Sequence, residues 1–179
     1  HQEERLEREL GQYREEEATC NGCAGYPKYD QVTGLLSFNR FREEVDSVIA
    51  SGKGKSCLLV YTDLENFKYF NRKYGYAAGD QLLREFTGYI IDTLKKRNTA
   101  HFTRVVADQF ILFFEEKWNN GSIEAIKRIN NGFIERQQRK YPEAKLRLRT
   151  GVYKVEKDCD GASFAIDAAN YARRQIQDN

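Results

Sequence analysis

Two aspartates carry the first chemical suggestion. Asp63 closes the apolar run 56–63 (SCLLVYTD), and Asp108 sits in a short turn, Ala107-Asp108, between two apolar-rich segments. If those segments are neighbouring strands, their ends bring the two carboxylates together. Two converging carboxylates beside Lys68 can hold a divalent ion on a nucleoside triphosphate. The ion neutralises charge while a hydroxyl attacks the α-phosphorus and pyrophosphate leaves. Mg²⁺ suits such a site because it takes few carboxylates and fills its shell with phosphate oxygens and water. The plainer reading is that each Asp caps the turn that follows it. A second group lies at 71–80 (NRKYGYAAGD). Asn71 offers a donor and an acceptor, which suits a guanine edge. Asp80 either accepts from a base or caps the next helix. Standing alone, this segment also reads as a loop between helices.

The elements that must position these residues follow from periodicity. Ser37 is an N-cap for a helix through Ala50, with Phe38, Phe41, Val45, Val48 and Ile49 on one face. Gly52 and Gly54 stop it. Residues 56–63 read as a fully buried strand. Helices are predicted at 66–74 and 79–96, the second with Leu82, Leu83, Phe86, Ile90 and Leu94 in period. Gly75 and Gly79 mark the turn and the helix start between them. Residues 101–106 and 109–115 form a hairpin around Ala107-Asp108. A helix at 122–139 turns Ile123, Ile126, Ile129 and Phe133 inward. Residues 145–154 alternate Leu146, Leu148, Thr150 and Val152 as a strand, and a last helix covers 162–177. The order β-α-α-β-β-α-β-α predicts an α+β fold with an antiparallel-containing sheet flanked by helices. The nearest simple plan is the ferredoxin-like split βαβ.

Composition sets the bounds. The 179 residues hold 29 Lys+Arg and 27 Asp+Glu, a net charge of +2, which gives no bulk argument for a nucleic-acid or membrane-surface binder. With 40% hydrophobic and 13% aromatic residues the chain can bury a core, which excludes a disordered segment. No apolar run approaches the length needed to span a bilayer. Residues 1–17 hold seven Glu against three Arg, leaving about +6 on the rest. This acidic stretch has Leu6, Leu10, Tyr13 and Glu17 at seam spacing. Gly22, Gly25 and Pro27 follow it. Residues 1–29 therefore read as an entry helix and linker, and 30–179 as the domain. Beginning at His1, the chain reads as a segment of a longer protein. Cys20 and Cys23 have metal-ligand spacing but no second pair, while Cys57 and Cys159 lie beside apolar runs and pack. Four cysteines without a scaffold pattern suit a reduced, cytoplasmic setting.

Three separated blocks together resemble the GGDEF domain of the diguanylate cyclase family. Asp30-Gln-Val-Thr33-Gly34-Leu35, with Phe41, is similar to the opening D-x-L-T-G-L-x-N-R-x-x-F. The run Asp63-Leu64-Glu65-Asn66-Phe67-Lys68 through Asn71, Gly75, Gly79-Asp80 and Leu83 is similar to D-[IL]-D-x-F-K-x-x-N-D-x-x-G-H-x-x-G-D-x-x-L. Arg104-Val105-Val106-Ala107-Asp108-Gln109-Phe110 stands at the place of R-x-G-G-D-E-F. A weaker fourth block, Asp167-Ala168-Ala169-Asn170-Tyr171-Ala172-Arg173-Arg174, is similar to D-x-A-[LM]-Y-x-A-K. The resemblance implies the palm-like fold of nucleotide cyclases. It also implies metal ligation by Asp63, Asp108 and the Leu64 carbonyl, guanine reading by Asn71 and Asp80, and a phosphate-facing turn at Phe67 and Lys68. Arg174 stands in place of a phosphate-binding Lys, keeping its charge but not its shape.

The departures weigh against catalysis. Val106 and Ala107 replace two glycines that let the turn take positive φ and let backbone approach the nucleotide. Each added side chain in a tight site costs on the order of 1–3 kcal/mol. Set against the transition state, the pair removes about 10²-fold in rate. Gln109 replaces a Glu beside the metals. Glu65, Arg72 and Tyr76 replace an Asp, an Asp and a His, and Asp178 falls where a distal phosphate-binding Arg is expected. The product-inhibition motif R-x-x-D reads Arg97-Asn98-Thr99-Ala100, so Arg97 lacks its carboxylate partner and binds no cyclic dinucleotide there. The expectation is a degenerate, catalytically inactive GGDEF domain of a bacterial cyclic di-GMP signalling protein. It retains GTP and Mg²⁺ binding and has a regulatory or dimerisation role toward other domains of its chain. It needs no nucleic acid and no membrane contact. Two alternatives stand beside it: an active diguanylate cyclase joining two GTP across a homodimer with Asp108 as the catalytic carboxylate, and a protein-interaction scaffold without nucleotide.

Overall fold

The computed structural model describes residues 27–95 and 100–176. The entry helix and most of the linker, Cys20, Cys23, Arg97 and Asp178 lie outside the described residues. Among the described residues, five helices and four strands follow in the order α1 Phe38–Ala50, β1 Cys57–Glu65, α2 Phe67–Tyr74, α3 Tyr76–Leu94, β2 His101–Val106, β3 Gln109–Glu115, α4 Ser122–Lys140, β4 Arg147–Lys154 and α5 Ala162–Gln175. A 3₁₀ turn at Lys53–Ser56 leads into β1. The sheet order is β2-β3-β1-β4, and the three pairings between these strands are antiparallel. This is the split βαβ arrangement with β3 inserted between β1 and β2.

Strand periodicity divides the core into two layers. On β1, Val60 and Leu64 face a cluster with Phe67, Phe70, Leu83, Phe86, Phe110, Leu112 and Phe133, under α2, α3 and α4. Leu59 and Tyr61 face the other way, onto Phe41, Val45, Ile111, Phe113, Ala165, Ile166 and Ala169, under α1 and α5. Cys57 and Cys159 are buried, free thiols in this second layer, as the sequence suggests.

Several boundaries move. β1 continues to Glu65 because Leu64 and Glu65 still pair with Leu148 and Arg147 of β4, so Asp63 lies inside the strand and not at its end. α3 starts at Tyr76, three residues before the predicted start. Gly75, at φ +91, forms its N-cap, so Asp80 caps nothing. Gly79 is an interior helix residue whose missing Cβ makes room for Asn71, since a methyl there would fall 1.8 Å from Asn71 Oδ1. β4 begins at Arg147 because Lys145 takes a left-handed conformation, φ +52. Ile123 is exposed, whereas Phe133 is buried, because α4 leans on α3 through its second half. There the Tyr89 hydroxyl donates to the Ile129 carbonyl at 2.7 Å.

The opening motif is architectural. Asp30 Oδ2 accepts from the Thr33 amide at 2.8 Å and its hydroxyl at 2.6 Å. Asp30 also receives Arg104 Nη1 at 3.1 Å, while Arg104 Nε donates to the Ala107 carbonyl at 2.7 Å. The first motif thus clamps the hairpin that carries Asp108.

Candidate functional site

The fold brings Asp63 and Asp108 to one corner, as expected from adjacent strands. Asp63 pairs across the β1–β3 ladder with Gln109, and across the β1–β4 ladder with Arg149. Residues directly opposite on antiparallel strands present side chains to the same face. Gln109, Asp63 and Arg149 therefore form a row across the sheet, on the face that α5 covers. Asp108, in the hairpin turn, accepts the Leu64 amide at 3.1 Å.

The turn reaches its shape without glycine. Ala107 takes φ +49, a left-handed conformation that costs an L-residue about 1–2 kcal/mol. Val106 does not need positive φ, against the sequence expectation, because a bulge between Arg104 and Val106 alters the register before the turn. Val106 is 59% exposed and Ala107 is exposed, so both side chains crown the open side of the turn.

Asp63 has partners that the sequence reading did not foresee. Arg149 Nε donates to Asp63 Oδ1 at 3.1 Å and its Nη2 to Oδ2, a bidentate pair. Arg173, from α5, brings Nη1 to within 2.9 Å of Oδ2. The side-chain exposures are 6% for Asp63, 16% for Arg149 and 8% for Arg173, so water screens these charges little. Arg173 is itself fixed. Its Nε and Nη2 donate to Asn170 Oδ1 at 3.0 and 2.7 Å, and its guanidinium stands 4.9 Å from the Tyr61 ring centroid. Burial pushes the Tyr61 phenol above its ordinary range, and the hydroxyl donates to Gln109 Oε1 at 2.7 Å. Gly151 makes the approach of α5 possible. A Cβ there would lie 2.1 Å from the Ala169 carbonyl oxygen and 2.3 Å from the Arg173 nitrogen.

The sequence carried one signal for this arrangement. In the closing motif D-x-A-[LM]-Y-x-A-K, Arg173 stands at the alanine before the Lys and Asn170 at the Leu/Met. Arg149 was hidden by the alternation of β4, whose other face reads as solvent when it is in fact covered by α5.

These residues do not fit the expected Mg²⁺ site. Both oxygens of Asp63 are committed to guanidinium groups, which leaves Asp108 and the Leu64 carbonyl as candidate ligands. A divalent ion about 4 Å from one guanidinium is repelled by roughly 8 kcal/mol at an effective dielectric near 20. Burial pushes the Asp108 carboxyl up from its ordinary value, and the Asp63 charge adds to this. Its backbone amide bonds and Arg173 pull the other way.

The remaining predicted residues divide. Phe67 is a core residue, packed with Phe70 and Leu83, so its side chain faces no phosphate. Lys68 is exposed on the first turn of α2, directly after β1. Asn71 Oδ1 is buried and accepts no hydrogen bond. Asp80 is half-buried on α3, and Arg174 is exposed on α5, beside the buried Arg173. Glu65 pairs with Arg147 at 3.6 Å.

A family model described as "Diguanylate cyclase, GGDEF domain" matches residues 27–179. Among curated proteins, the diguanylate cyclase DgcS of Shewanella oneidensis is 32% identical over 89 residues, 49% of this chain and 29% of that protein. The cyclic di-GMP phosphodiesterase PdeR of Escherichia coli is 28% identical over 130 residues, 73% of this chain and 18% of that protein. The chain thus spans less than a third of the length of either relative. Among solved structures, the coiled coil and GGDEF domain of DgcB from Caulobacter crescentus, in complex with c-di-GMP, matches with a TM-score of 0.72 at 19% identity, over 99% of this chain and 89% of that one. That likeness speaks to the fold alone. No helix among the described residues is long and apolar enough to cross a membrane. The family match runs through every strand and helix that builds the Asp63–Asp108 corner, and on it the chain belongs to the GGDEF domain family.

Proposed function

We propose that this domain is a regulatory GGDEF module of a cyclic di-GMP signalling protein, binding GTP without converting it to cyclic di-GMP. The observation that carries this reading is the engagement of Asp63 by Arg149 and Arg173. A carboxylate held by two guanidinium groups is withdrawn from the metal chemistry that a cyclase performs on the α-phosphate. The exposed side chains of Val106 and Ala107 support the same reading, since they add bulk where the family signature has two glycines.

GTP binding is supported by the motif residues outside that corner. Asn71 stands at the position where the resemblance places a guanine reader; its Oδ1 is buried against Gly79, so reading a base requires that side chain to turn outward. Asp80 offers a second acceptor, and Lys68 and Arg174 are exposed cations for phosphate. Mg²⁺ enters only as the counter-ion that the triphosphate brings. Occupancy would be relayed to other domains of a longer cytoplasmic chain, or to a second copy in a homodimer, with no role for nucleic acid or membrane.

The test is incubation of the domain with GTP and Mg²⁺ or Mn²⁺, with chromatography for cyclic di-GMP and calorimetry for GTP. The expected result is binding heat and no product. Product formation that Asp108→Ala abolishes would establish an active cyclase and overturn the reading. No heat at millimolar GTP would favour the protein-interaction scaffold.

A further inference from the structure

The charges at the Asp63 corner balance in an unusual way. Two carboxylates, Asp63 and Asp108, face two guanidinium groups, Arg149 and Arg173. A pair of carboxylates holding one divalent ion has the same total. We propose that Arg149 and Arg173 occupy the place and supply the charge of a divalent cation, making this corner metal-excluding, so that GTP binding by the domain is independent of Mg²⁺.

Several separately placed residues converge on this arrangement. Arg149 comes from β4, exactly one ladder step across from Asp63, and binds it through two nitrogens. Arg173 comes from α5 and is oriented by Asn170 and the Tyr61 ring. Gly151 clears the space that lets the α5 backbone come this close. Gln109, neutral and opposite Asp63, adds no further negative charge that a metal would be needed to offset. A guanidinium keeps its charge at any ordinary pH, so this internal cation can be neither chelated away nor titrated. It also acts beyond Asp63, since both arginines interact electrostatically with Asp108. A buried carboxylate with two fixed cations has no coordination to offer, and a metal would have to displace a charge-assisted pair to gain one.

The probe is Mn²⁺ alone, followed by the paramagnetic resonance signal of the free ion, with the melting temperature in Mg²⁺ compared with that in EDTA. The wild-type domain should leave the Mn²⁺ signal unchanged and melt at one temperature in both solutions. Arg149→Gln combined with Arg173→Ala should free Asp63 and raise Mn²⁺ affinity by roughly tenfold or more. Arg173→Ala alone serves if the double variant does not fold. One-for-one Mn²⁺ binding by the wild type, lost in Asp108→Ala, would overturn the proposal. So would a folded variant, judged by circular dichroism, that binds Mn²⁺ no better than wild type. The claim about ligands rests on the GTP reading above and is read separately, from the GTP-induced melting shift in EDTA and in Mg²⁺. Equal shifts support metal independence, and a shift seen only with Mg²⁺ overturns it. No shift in either solution counts against GTP binding, and the Mn²⁺ result then decides the proposal.

Discussion

At Asp63 the usual consequence of removing a metal-ligand carboxylate is reversed. In an acidic metal site, deleting one carboxylate relieves repulsion in the metal-free protein. Here Asp63→Ala would strand the buried Arg173 and the half-buried Arg149 guanidinium groups and should destabilise the domain by roughly 3 kcal/mol, read from urea melts. A neutral or stabilising effect would show that the arginines have other partners in solution. Asp108 makes the opposite prediction. Burial raises its carboxyl above the ordinary 3.8, so the folded state holds that proton more tightly than the unfolded chain. Its contribution to stability is full below the ordinary value and is lost as pH rises through the raised one. Asp108→Asn keeps an acceptor for the Leu64 amide and removes the half-buried charge. It should therefore be more stable than wild type at neutral pH, and the difference should vanish in acid melts below the ordinary aspartate value.

Among the elements, the contact between α5 and β4 decides the character of the site. The helix rests directly on Gly151, where an added methyl meets the Ala169 oxygen at 2.1 Å and the Arg173 nitrogen at 2.3 Å. Both are backbone atoms, so no side-chain rotation relieves the clash. Gly151→Ala should lift α5, cost about 3 kcal/mol in stability and part Arg173 from Asp63. A thermal melt reports the first effect. The second should appear as increased Mn²⁺ binding relative to wild type. The hairpin is held separately, by Arg104 bridging Asp30 and the Ala107 carbonyl, so its turn should keep its shape in this variant.

For the whole molecule, the Val106-Ala107-Asp108-Gln109 turn and the arginine pair meet at one corner. Restoring the hairpin with Val106→Gly, Ala107→Gly and Gln109→Glu removes the crowding but leaves both guanidinium groups against Asp63. This triple variant should still form no cyclic di-GMP from GTP and Mg²⁺, measured by chromatography. On the proposed reading, cyclase activity requires combining it with replacement of Arg149 and Arg173. Cyclase activity from the triple variant alone would assign the block to the turn.

Much of the architecture was legible in local pattern. The period of two in β1 separates Val60 and Leu64 from Leu59 and Tyr61, and this alternation sorts the core into its two layers. The turn at Ala107-Asp108, the order of elements and the nearness of Asp63 to Asp108 follow from the same reasoning. Helix and strand ends were less legible, because Gly79 looks like a punctuating glycine but serves as clearance for Asn71. Phe67 reads as part of a motif and packs as core.

The sequence by itself determined the family pattern, the sheet's two apolar faces and the carboxylates at its corner. Each is a matter of residue type and short spacing, which backbone geometry converts directly into position. Only the tertiary structure decided what those carboxylates touch. Arg149 lies 86 residues from Asp63 in the chain and reaches it through strand register. Arg173 reaches it because a helix docks on a glycine. Periodicity places a side chain on a face, but its charge partner there is chosen by whichever element packs across that face.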